Sequence, residues 1–306
     1  MTDSPSTLLP SWREGATRDA VLAFLDAAMA LSVEQRVAAF DNDGTLWCER
    51  PTLVQYDFFA DQLAKATAAD PGLAERPEFA AVLANDGAAI SEIGLAHVAV
   101  ALAGLFAGME PEEFTELARD FMRRATNRAR GIPLMQAVYQ PMLELLDELR
   151  RREFTVFIVS GGGTEFVRAI SQQLYGIAPE GVVGTLIAYE FARRDDGRPV
   201  LLRTGQIGSA ANEGAAKVSH IQAQLGRRPI LAAGNSAGDR EMMEWACAGN
   251  GPSLALLVDH DDADREFEYA STAATFEEAE PITAIAQRLG WTVASMANDW
   301  ATVFPR

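Results

Sequence analysis

Cysteine is scarce in this chain of 306 residues, which contains only Cys48 and Cys247. The pair has neither the spacing of a zinc site nor the density of a disulfide scaffold, which favours a reducing compartment. Long apolar runs are missing as well, since none approaches the roughly 20 residues that a membrane-spanning helix requires. Residues 1–5 lack the basic and then apolar pattern of a secretion signal. We therefore expect a cytoplasmic protein without a membrane partner.

Positive charge is also in deficit. The 26 Lys and Arg residues face 43 Asp and Glu residues, which gives a net charge of −17. This balance argues against nucleic acid and anionic membranes as partners, because both carry negative charge. An anionic substrate would need local positive charge from a metal ion, a lysine or a helix N-terminus. The hydrophobic content of 48% is typical of a soluble globular protein, and the length fits one large domain or a domain with a smaller insertion.

One short stretch, residues 37–45, carries the strongest chemical signal. Four apolar residues predict a buried parallel strand, which runs directly into the sequence Asp-Asn-Asp-Gly-Thr. Open α/β sheets bind ligands beyond the carboxyl ends of strands, and strand alternation points Asp41 and Asp43 the same way. Two carboxylates this close require a cation between them or a shared proton. Both conditions suit phosphoryl chemistry, in which one carboxylate attacks phosphorus and binds Mg²⁺ while the other transfers a proton.

Two simpler interpretations of this stretch compete with the catalytic one. An EF-hand loop that began at Asp41 would need glycine at its sixth position, where Leu46 stands, and no glutamate closes the loop. A surface turn fits the local composition, because Asn, Asp and Gly form turns readily. A two-carboxylate motif has many chance matches, so the rest of the chain must decide between a turn and a site.

Two further predicted strands also end in polar residues. Residues 154–159 form an apolar run that leads into Ser160 and three glycines, after which a helix is predicted. A hydroxyl and several backbone N–H groups at such a junction form a phosphate cradle. No Gly-Lys-Ser/Thr follows, so this is not a Walker loop. Residues 229–233 form another apolar run, which delivers Asn235 and Asp239.

The segments around these strands complete the predicted core. Two β-rich runs, 182–191 and 199–204, flank Asp-Asp-Gly and predict a hairpin. Asn212 is predicted to cap a helix that contains Lys217 in its second turn. A lone helical lysine is usually a solvated surface residue, but alanine neighbours leave room for it to lean into a site. A further strand is predicted at 253–258.

Helical patterns occupy much of the remaining chain. Apolar residues recur at helical spacing in four segments, at 17–31, 47–132, 142–151 and 282–289. The longest of them enters directly after the first acidic motif and contains no convincing strand, which is typical of an inserted cap. We therefore predict an α/β fold with a Rossmann-like parallel-sheet core, residues 1–47 and 131–306, and an inserted helical cap domain, residues 48–130.

Four motifs follow one another along the chain in a fixed order: Asp-x-Asp-Gly-Thr at 41–45, Ser160, Lys217 and Gly-Asn-Ser-Ala-Gly-Asp at 234–239. Together they resemble the motifs of the haloacid dehalogenase-like (HAD) superfamily, in particular its phosphatases similar to phosphoserine phosphatase. The resemblance covers the core motifs and the position of the cap. It implies a phosphatase that works through an aspartyl-phosphate intermediate.

By that resemblance, each motif has a catalytic role. Asp41 would attack phosphorus, and Asp43 would protonate the leaving alkoxide and then activate water. The residues that would hold or neutralise the phosphoryl group are Ser160, Gly161, Gly162 and Lys217. This division of labour is physically sensible, because phosphoryl transfer needs positioning and charge compensation more than elaborate chemistry.

The resemblance also implies a Mg²⁺ site. Its ligands would be the Asp41 side chain, the Asp43 backbone carbonyl and a residue of the fourth motif. That motif usually begins Gly-Asp, whereas Asn235 stands at the acidic position in this chain. Asparagine still offers a carbonyl oxygen to Mg²⁺ but removes one negative charge, which Asp239 would compensate as a direct or water-mediated ligand.

Candidate substrate contacts lie outside these motifs. Glu49 is one residue out of register with the glutamate that contacts the substrate in phosphoserine phosphatases, and Gln55 and Arg168 are further candidates. The expected function is Mg²⁺-dependent hydrolysis of a small phosphorylated metabolite. A phosphotransferase or phosphomutase would share every motif, and a catalytically silent metal- or ligand-binding protein would explain Asn235. A dehalogenase would need no second acid, so Asp43 argues against it. No pattern in the sequence predicts an oligomeric state.

Overall fold

The computed structural model describes residues 8–276 and 278–305. Residues 1–7, to which the prediction about a secretion signal applies, lie outside the described residues. Within the described residues, eight strands form two sheets. The strands are β1 (Val37–Phe40), β2 (Thr155–Gly163), β3 (Val182–Thr185), β4 (Ile187–Arg193), β5 (Pro199–Ile207), β6 (Leu231–Gly234), β7 (Leu254–Asp259) and β8 (Thr292–Ser295).

The larger sheet consists of six parallel strands in the order β3-β2-β1-β6-β7-β8. β1 lies in the middle, where Phe40 pairs with Ile158 of β2 on one side and Ala233 of β6 on the other. From β1 the chain builds outward to β3 and then returns to continue on the far side with β6. The strand order therefore reverses between β1 and β6, which is where open α/β sheets bind their ligands. The prediction of a Rossmann-like parallel sheet is confirmed.

The central strand is buried on both faces, as its continuous apolar run predicts. Its side chains alternate between two hydrophobic cores, with Ala38 and Phe40 in one and Ala39 in the other. Burial on two faces fixes the register of the strand, because a slip of one residue would exchange the two faces. The position of Asp41, which follows directly, is fixed by the same packing.

Helices flank this sheet. Within the described residues the α-helices are α1 (Ala16–Ala28), α2 (Val54–Ala69), α3 (Pro77–Leu83), α4 (Gly87–Ile93), α5 (Leu95–Gly104), α6 (Pro111–Arg124), α7 (Gln140–Arg151), α8 (Thr164–Tyr175), α9 (Ala215–Leu225), α10 (Arg240–Cys247), α11 (Ile282–Leu289) and α12 (Met296–Asp299). The predicted helices near 17–31, 142–151 and 282–289 correspond to α1, α7 and α11. No single helix in this part of the chain is long and apolar enough to cross a membrane, and α4 with α5 passes that test only as a pair bent by 94°.

Helices α2 to α6 fill the segment that was predicted as a cap. Leu63, Phe79 and Leu102 belong to a separate small core among these helices. The same segment also joins the main core, since the ring centroids of Phe58 on α2 and Phe166 on α8 are 5.2 Å apart. The helical content of the segment is confirmed, and the division of the chain into a core domain and a cap domain stays a prediction.

The antiparallel pair β4–β5 forms the second sheet. The sequence predicted one strand over 182–191, but Leu186 separates β3, which joins the main sheet, from β4, which pairs with β5. Arg203 on β5 pairs with Glu165 on α8, and its guanidinium lies 3.7 Å from the ring centroid of Phe114 on α6. The hairpin therefore ties the helical segment to the sheet-covering helix α8.

Two smaller details also differ from the predictions. β8 forms an edge of the main sheet and was not predicted, because four residues that are mostly half-buried give little periodic signal. Helix α1 begins at Ala16 after Gly15, and Thr17 does not cap it. Neither difference moves the carboxyl edge of the sheet, where the site lies.

Candidate active site

Asp41, Lys217 and Asp239 form a buried charged cluster at the carboxyl edge of the sheet. Asp41 follows β1, Asp239 lies in the turn after β6, and Lys217 projects from α9. The Lys217 ammonium donates to Oδ1 of Asp41 and to Oδ1 of Asp239, each at 2.6 Å. None of the three residues is more than 6% exposed. Lys217 is thus a buried, paired cation and not a solvated surface residue.

The electrostatics of this cluster favour an additional cation. Burial raises the pKa of Asp41 well above its ordinary value, and the charge of Asp239 raises it further, while Lys217 acts in the opposite direction. Burial alone would lower the pKa of Lys217, but Asp239 and Asp41 outweigh it and raise that pKa above its ordinary value. One lysine faces two carboxyl groups, so the fully ionised cluster is net negative. A bound metal ion would remove that excess and favour the ionised form of Asp41.

Asp43 lies beside the cluster with partners of its own. Trp47 Nε1 donates to Oδ1 of Asp43 at 2.9 Å, and Ser160 Oγ donates to Oδ2 at 3.5 Å. Burial raises the pKa of Asp43 to about 6, against the effect of the Trp47 hydrogen bond. A carboxyl group that titrates near neutral pH can both give and take a proton, which general acid–base catalysis requires.

Ser160 and the three following glycines form a second wall of the site. The Gly162 N–H donates to Ser160 Oγ at 3.0 Å, and the Gly163 N–H donates to Gln55 Oε1 at 2.8 Å. Gln55 belongs to α2, so the helical segment reaches this loop directly. A Cβ on Gly162 would lie 2.8 Å from Gln55 Oε1, so a larger residue there would displace the end of the Gln55 side chain.

Asn235 faces Asp41 across the crevice between β1 and β6. Thr45 Oγ1 lies 3.4 Å from Asp41 Oδ2 and 3.4 Å from Asn235 Oδ1. The Asn235 amide nitrogen points the other way and donates to Glu49 Oε1 at 3.1 Å. Gly44 permits this packing, because its φ is +72° and a Cβ there would lie 2.0 Å from Asn235 Nδ2.

The oxygens of Asp41 and Asn235 fit a magnesium ion. A hydroxyl has one proton, so Thr45 can donate to only one of these two oxygens at a time. Carboxylate and amide oxygens are the hard ligands that Mg²⁺ prefers, and the ion usually keeps several waters and substrate oxygens besides. Within residues 8–276 and 278–305, no three His, Cys, Asp or Glu side chains are grouped as a metal site. A site of one carboxylate, one amide and backbone oxygen is compatible with that finding.

Residues 38–244 match the model of the family of haloacid dehalogenase-like hydrolases. The matched range includes both acids of the first motif, Lys217 and the turn after β6. The chain belongs to this family. The predicted membership of the HAD superfamily is therefore confirmed.

Two solved structures share the fold at low sequence identity, and a third matches with a lower TM-score. A protein of unknown function from Bordetella pertussis Tohama I is 18% identical, with a TM-score of 0.53, over 85% of this chain and 97% of that one. A protein from Anaerococcus prevotii DSM 20548 is 13% identical, with a TM-score of 0.52, over 85% and 96%. A phosphoserine phosphohydrolase-like protein from Francisella tularensis subsp. tularensis SCHU S4 is 14% identical, with a TM-score of 0.39, over 83% and 99%. No curated protein matches the chain.

The residues predicted from the HAD motifs assemble in two hydrogen-bonded groups. One group contains Asp41, Lys217, Asp239 and Asn235, and the other contains Asp43, Ser160 and Gly162. Gly161 was predicted to offer its N–H to a phosphate, and the contact seen here is through its carbonyl oxygen, which accepts from Thr185 Oγ1 at 2.8 Å. The predicted phosphate-binding role of Gly161 stays a prediction.

Asp239 was predicted as a metal ligand, which stays a prediction, and its carboxylate oxygens accept several hydrogen bonds. Its Oδ1 accepts from Lys217, and its Oδ2 accepts from the N–H groups of Asn235 at 3.1 Å and Ser236 at 3.0 Å. Both oxygens therefore hold the lysine and the turn that presents Asn235. Arg168 was predicted as a substrate contact. Its Nε donates to the Pro179 carbonyl at 2.9 Å, outside the two hydrogen-bonded groups of the site.

Asn212 was predicted to cap α9, but it does not. The helix begins at Ala215 after Gly214. The Asn212 side chain is fully buried and donates to the carbonyls of Ser160 at 2.8 Å and Val183 at 3.1 Å. It ties the segment before α9 to the carboxyl end of β2, and so helps to place both Ser160 and the lysine helix.

A second buried polar network lies behind the Gly44 turn and was missed in the sequence. His260 Nε2 donates to the Gly44 carbonyl at 2.8 Å, and its Nδ1 lies 3.2 Å from Glu266 Oε2. Glu266 also accepts from Tyr139 Oη and Cys48 Sγ, each at 3.0 Å. Burial and the charge of Glu266 raise the pKa of the Cys48 thiol, which keeps it protonated and unreactive. In the sequence, the one indication of this network was that His260 follows a predicted strand.

Proposed function

We propose that this chain is a Mg²⁺-dependent phosphatase of the phosphoserine phosphatase branch, which hydrolyses a small phosphorylated metabolite through an aspartyl-phosphate on Asp41. The observation that carries the proposal is the buried Lys217, which lies between Asp41 and Asp239 at 2.6 Å from each. Asp43, with its pKa raised to about 6, stands beside them. Phosphoryl transfer requires positioning and charge compensation, and this arrangement supplies both.

In the first step, a carboxylate oxygen of Asp41 attacks phosphorus. The new bond joins phosphorus to Asp41, and the bond from phosphorus to the ester oxygen of the substrate breaks. Asp43 gives its proton to the leaving oxygen, so that an alcohol departs and Asp43 is left ionised. Lys217 would compensate the charge of the phosphoryl group, and Ser160 with the adjoining loop N–H groups would bind its oxygens.

In the second step, the ionised Asp43 takes a proton from a water molecule. The water oxygen bonds to phosphorus, the bond from phosphorus to Asp41 breaks, and inorganic phosphate leaves. Asp43 ends the cycle protonated and Asp41 ends it ionised, so both return to their starting states. A pKa near neutral pH suits Asp43 to both transfers, because neither protonation state is strongly disfavoured.

A Mg²⁺ ion would be held by a side-chain oxygen of Asp41, the backbone carbonyl of Asp43 and Oδ1 of Asn235. When bound, it supplies positive charge that stabilises the ionised nucleophile and the phosphoryl oxygens. Lys217 donates to Oδ1 of Asp41, whereas Oδ2 lies on the side of Asn235. This arrangement supports a division in which one oxygen faces the metal and the other faces phosphorus.

Two observations support a small substrate and a cytoplasmic location. Gln55 from α2 reaches the glycine loop and limits the space beside it, which supports a small substrate. Cys48 and Cys247 are both free thiols within the described residues, which supports a reducing compartment such as the cytoplasm.

The test is hydrolysis of p-nitrophenyl phosphate with Mg²⁺ or with a chelator in its place. Wild-type protein is compared with Asp41→Asn and with Asp195→Asn, a matched control on the exposed turn of the β4–β5 hairpin. We expect Mg²⁺-dependent release of phosphate from the wild type and the control, and a loss of about 10⁴-fold or more in Asp41→Asn. Acid trapping of a phosphorylated protein in the wild type, and not in Asp41→Asn, would locate the intermediate.

Full activity in the presence of the chelator or in Asp41→Asn would contradict the proposal. Transfer of the phosphoryl group to an added alcohol, without release of inorganic phosphate, would identify a phosphotransferase. Binding of Mg²⁺ without turnover of any member of a panel of phosphorylated metabolites would identify a catalytically silent protein.

A further inference from the structure

The amide group of Asn235 has a defined orientation. Its Nδ2 donates to Glu49 Oε1 at 3.1 Å and to Ser271 Oγ at 3.2 Å. Its Oδ1 lies on the opposite side, 3.4 Å from the Thr45 hydroxyl that also reaches Asp41. The oxygen therefore faces the nucleophile, and the nitrogen faces a carboxylate.

Glu49 is itself held in place. Its Oε1 accepts from Tyr269 Oη at 2.8 Å as well as from Asn235. The Tyr269 ring stacks on His260 with centroids 4.3 Å apart, and the Arg50 guanidinium lies 4.3 Å from the Tyr269 ring centroid. The carboxylate of Glu49 is thus fixed before any ligand binds.

An amide needs such a partner, whereas a carboxylate does not. The two ends of an amide differ, and a rotation that exchanged them would place Asn235 Oδ1 against the Glu49 carboxylate, where two acceptors repel. The same rotation would turn an N–H₂ group, which cannot bind a cation, toward Asp41. An aspartate at position 235 would have two equivalent oxygens, but it would place a second carboxylate about 3 Å from Glu49, where like charges repel.

The charge of the pair follows the same logic. Asn235 with an ionised Glu49 carries one negative charge, as would an aspartate at 235 with a neutral neighbour. Gly44 leaves room for this arrangement, because a Cβ there would lie 2.0 Å from Asn235 Nδ2 and 2.9 Å from Glu49 Oε1. The negative charge therefore lies on Glu49, behind Asn235, and not on the residue that would bind the cation.

We propose that Glu49 is a positioning residue of the metal site, which turns Asn235 Oδ1 toward Asp41 and supplies the negative charge that position 235 lacks. The inference rests on the proposed function, because it assumes a divalent cation between Asp41 and Asn235. It replaces the predicted contact of Glu49 with the substrate by a contact with the metal ligand. Removal of a group that orients a ligand typically weakens metal binding by about 10- to 100-fold.

The test measures the dissociation constant of Mn²⁺, which takes the same oxygen ligands as Mg²⁺, from the signal of the free ion in electron paramagnetic resonance titrations. The variants are Glu49→Ala, Glu49→Gln, Asn235→Asp and the two double variants that combine a Glu49 change with Asn235→Asp. Glu268→Ala is the matched control, because Glu268 is an exposed acid that lines a surface cavity together with Asn235. Thermal unfolding of each metal-free variant confirms that it is folded.

We expect Glu49→Ala to weaken Mn²⁺ binding by about 10- to 100-fold in the Asn235 background. In the Asn235→Asp background the same change is expected to leave binding unchanged or to strengthen it, because two equivalent oxygens need no orientation and a repulsion is removed. The double variant Glu49→Gln with Asn235→Asp restores binding to within about threefold of wild type, since its charge count is the same. Glu268→Ala binds Mn²⁺ as the wild type does.

Equal losses from Glu49→Ala in both backgrounds would overturn the inference, because a general structural or charge effect does not depend on residue 235. An unchanged dissociation constant in Glu49→Ala would also overturn it, while Mn²⁺ binding by the wild type would leave the proposed function standing. No Mn²⁺ binding by the wild type, measured beside Asp41→Asn, would overturn both.

Discussion

Asp43→Asn is expected to stabilise the metal-free protein at neutral and alkaline pH while it removes catalysis. The substitution replaces a carboxyl group by an amide of nearly the same shape. The amide oxygen can still accept the Trp47 N–H, which lies 2.9 Å from Oδ1 in the wild type. What disappears is the cost of ionising a half-buried acid, since the loss of solvent contact raises the pKa of Asp43 to about 6 from 3.8.

The sign of the effect follows from linkage between proton binding and folding. Below both pKa values the group is neutral in the folded and unfolded chains, and it costs nothing. As the pH rises past the unfolded pKa, the unfolded chain ionises while the folded protein keeps its proton, so the wild type loses stability. The loss is complete once the pH has passed the folded pKa of about 6.

The magnitude can be worked from the two pKa values. The wild-type penalty in the free energy of unfolding is about 0.6 kcal/mol near pH 4, 1.6 kcal/mol near pH 5 and 3 kcal/mol near pH 8. These are upper values, because the Asp43 residue is only partly buried. The stability difference between Asp43→Asn and wild type should therefore grow by about 1 kcal/mol or more between pH 5 and pH 8.

Urea unfolding of the chelator-treated protein, followed by tryptophan fluorescence at several pH values, measures this difference. Asp195→Asn on the exposed hairpin turn is the control, and its difference from wild type should not vary in the same way. A difference for Asp43→Asn that is constant with pH, or a variant that is less stable than wild type near pH 8, would refute the reasoning. The same variant should lose about 10²- to 10⁴-fold in turnover of an alkyl phosphate, whose leaving group needs a proton.

Four further substitutions, one of them a control, test the charge of the site and the packing of the chain. Lys217→Met should lower the free energy of unfolding in chelator by about 3–5 kcal/mol, because it leaves Asp41 and Asp239 buried without a cation. Added Mg²⁺ should recover part of that loss. Gly44→Ala should cost about 3 kcal/mol or more in urea unfolding, since its Cβ would lie 2.0 Å from a side chain, whereas Gly94→Ala, with φ +96° and open space, should cost only the backbone strain of about 1–3 kcal/mol. Phe58→Ala should cost about 3–5 kcal/mol in thermal unfolding, because the ring joins α2 to the main core.

Local sequence signals were sufficient for elements whose packing is uniform. β1, β2, β6 and β7 each carry a continuous apolar run, and burial on both faces of a parallel sheet demands that pattern. The run over 182–191 was read as one strand because local propensity does not show where pairing changes. The break at Leu186 arises because β3 pairs with β2 in the main sheet, whereas β4 pairs with β5.

Side-chain partners were harder to predict, because they depend on distant parts of the chain. Asn212 has the composition of a helix cap, yet its hydrogen bonds reach Ser160 and Val183 on neighbouring strands. Lys217 gave only a weak local signal, and its place as a buried, paired cation depends on two carboxylates that other elements deliver. The metal-ligand role of Asp239 stays a prediction, and no local pattern indicated that Lys217 would contact one of its oxygens and two N–H groups the other.

The sequence by itself determined which chemical groups reach the carboxyl edge of the sheet, because strand period, burial and parallel pairing are written in local patterns. Tertiary structure alone decided how those groups share charge and hydrogen bonds. The Lys217–Asp41 contact joins residues 176 positions apart, and the Asn235–Glu49 contact joins residues 186 positions apart. Such contacts, and the burial that raises the pKa values of Asp41 and Asp43, exist only once the sheet has brought the separate strand ends together.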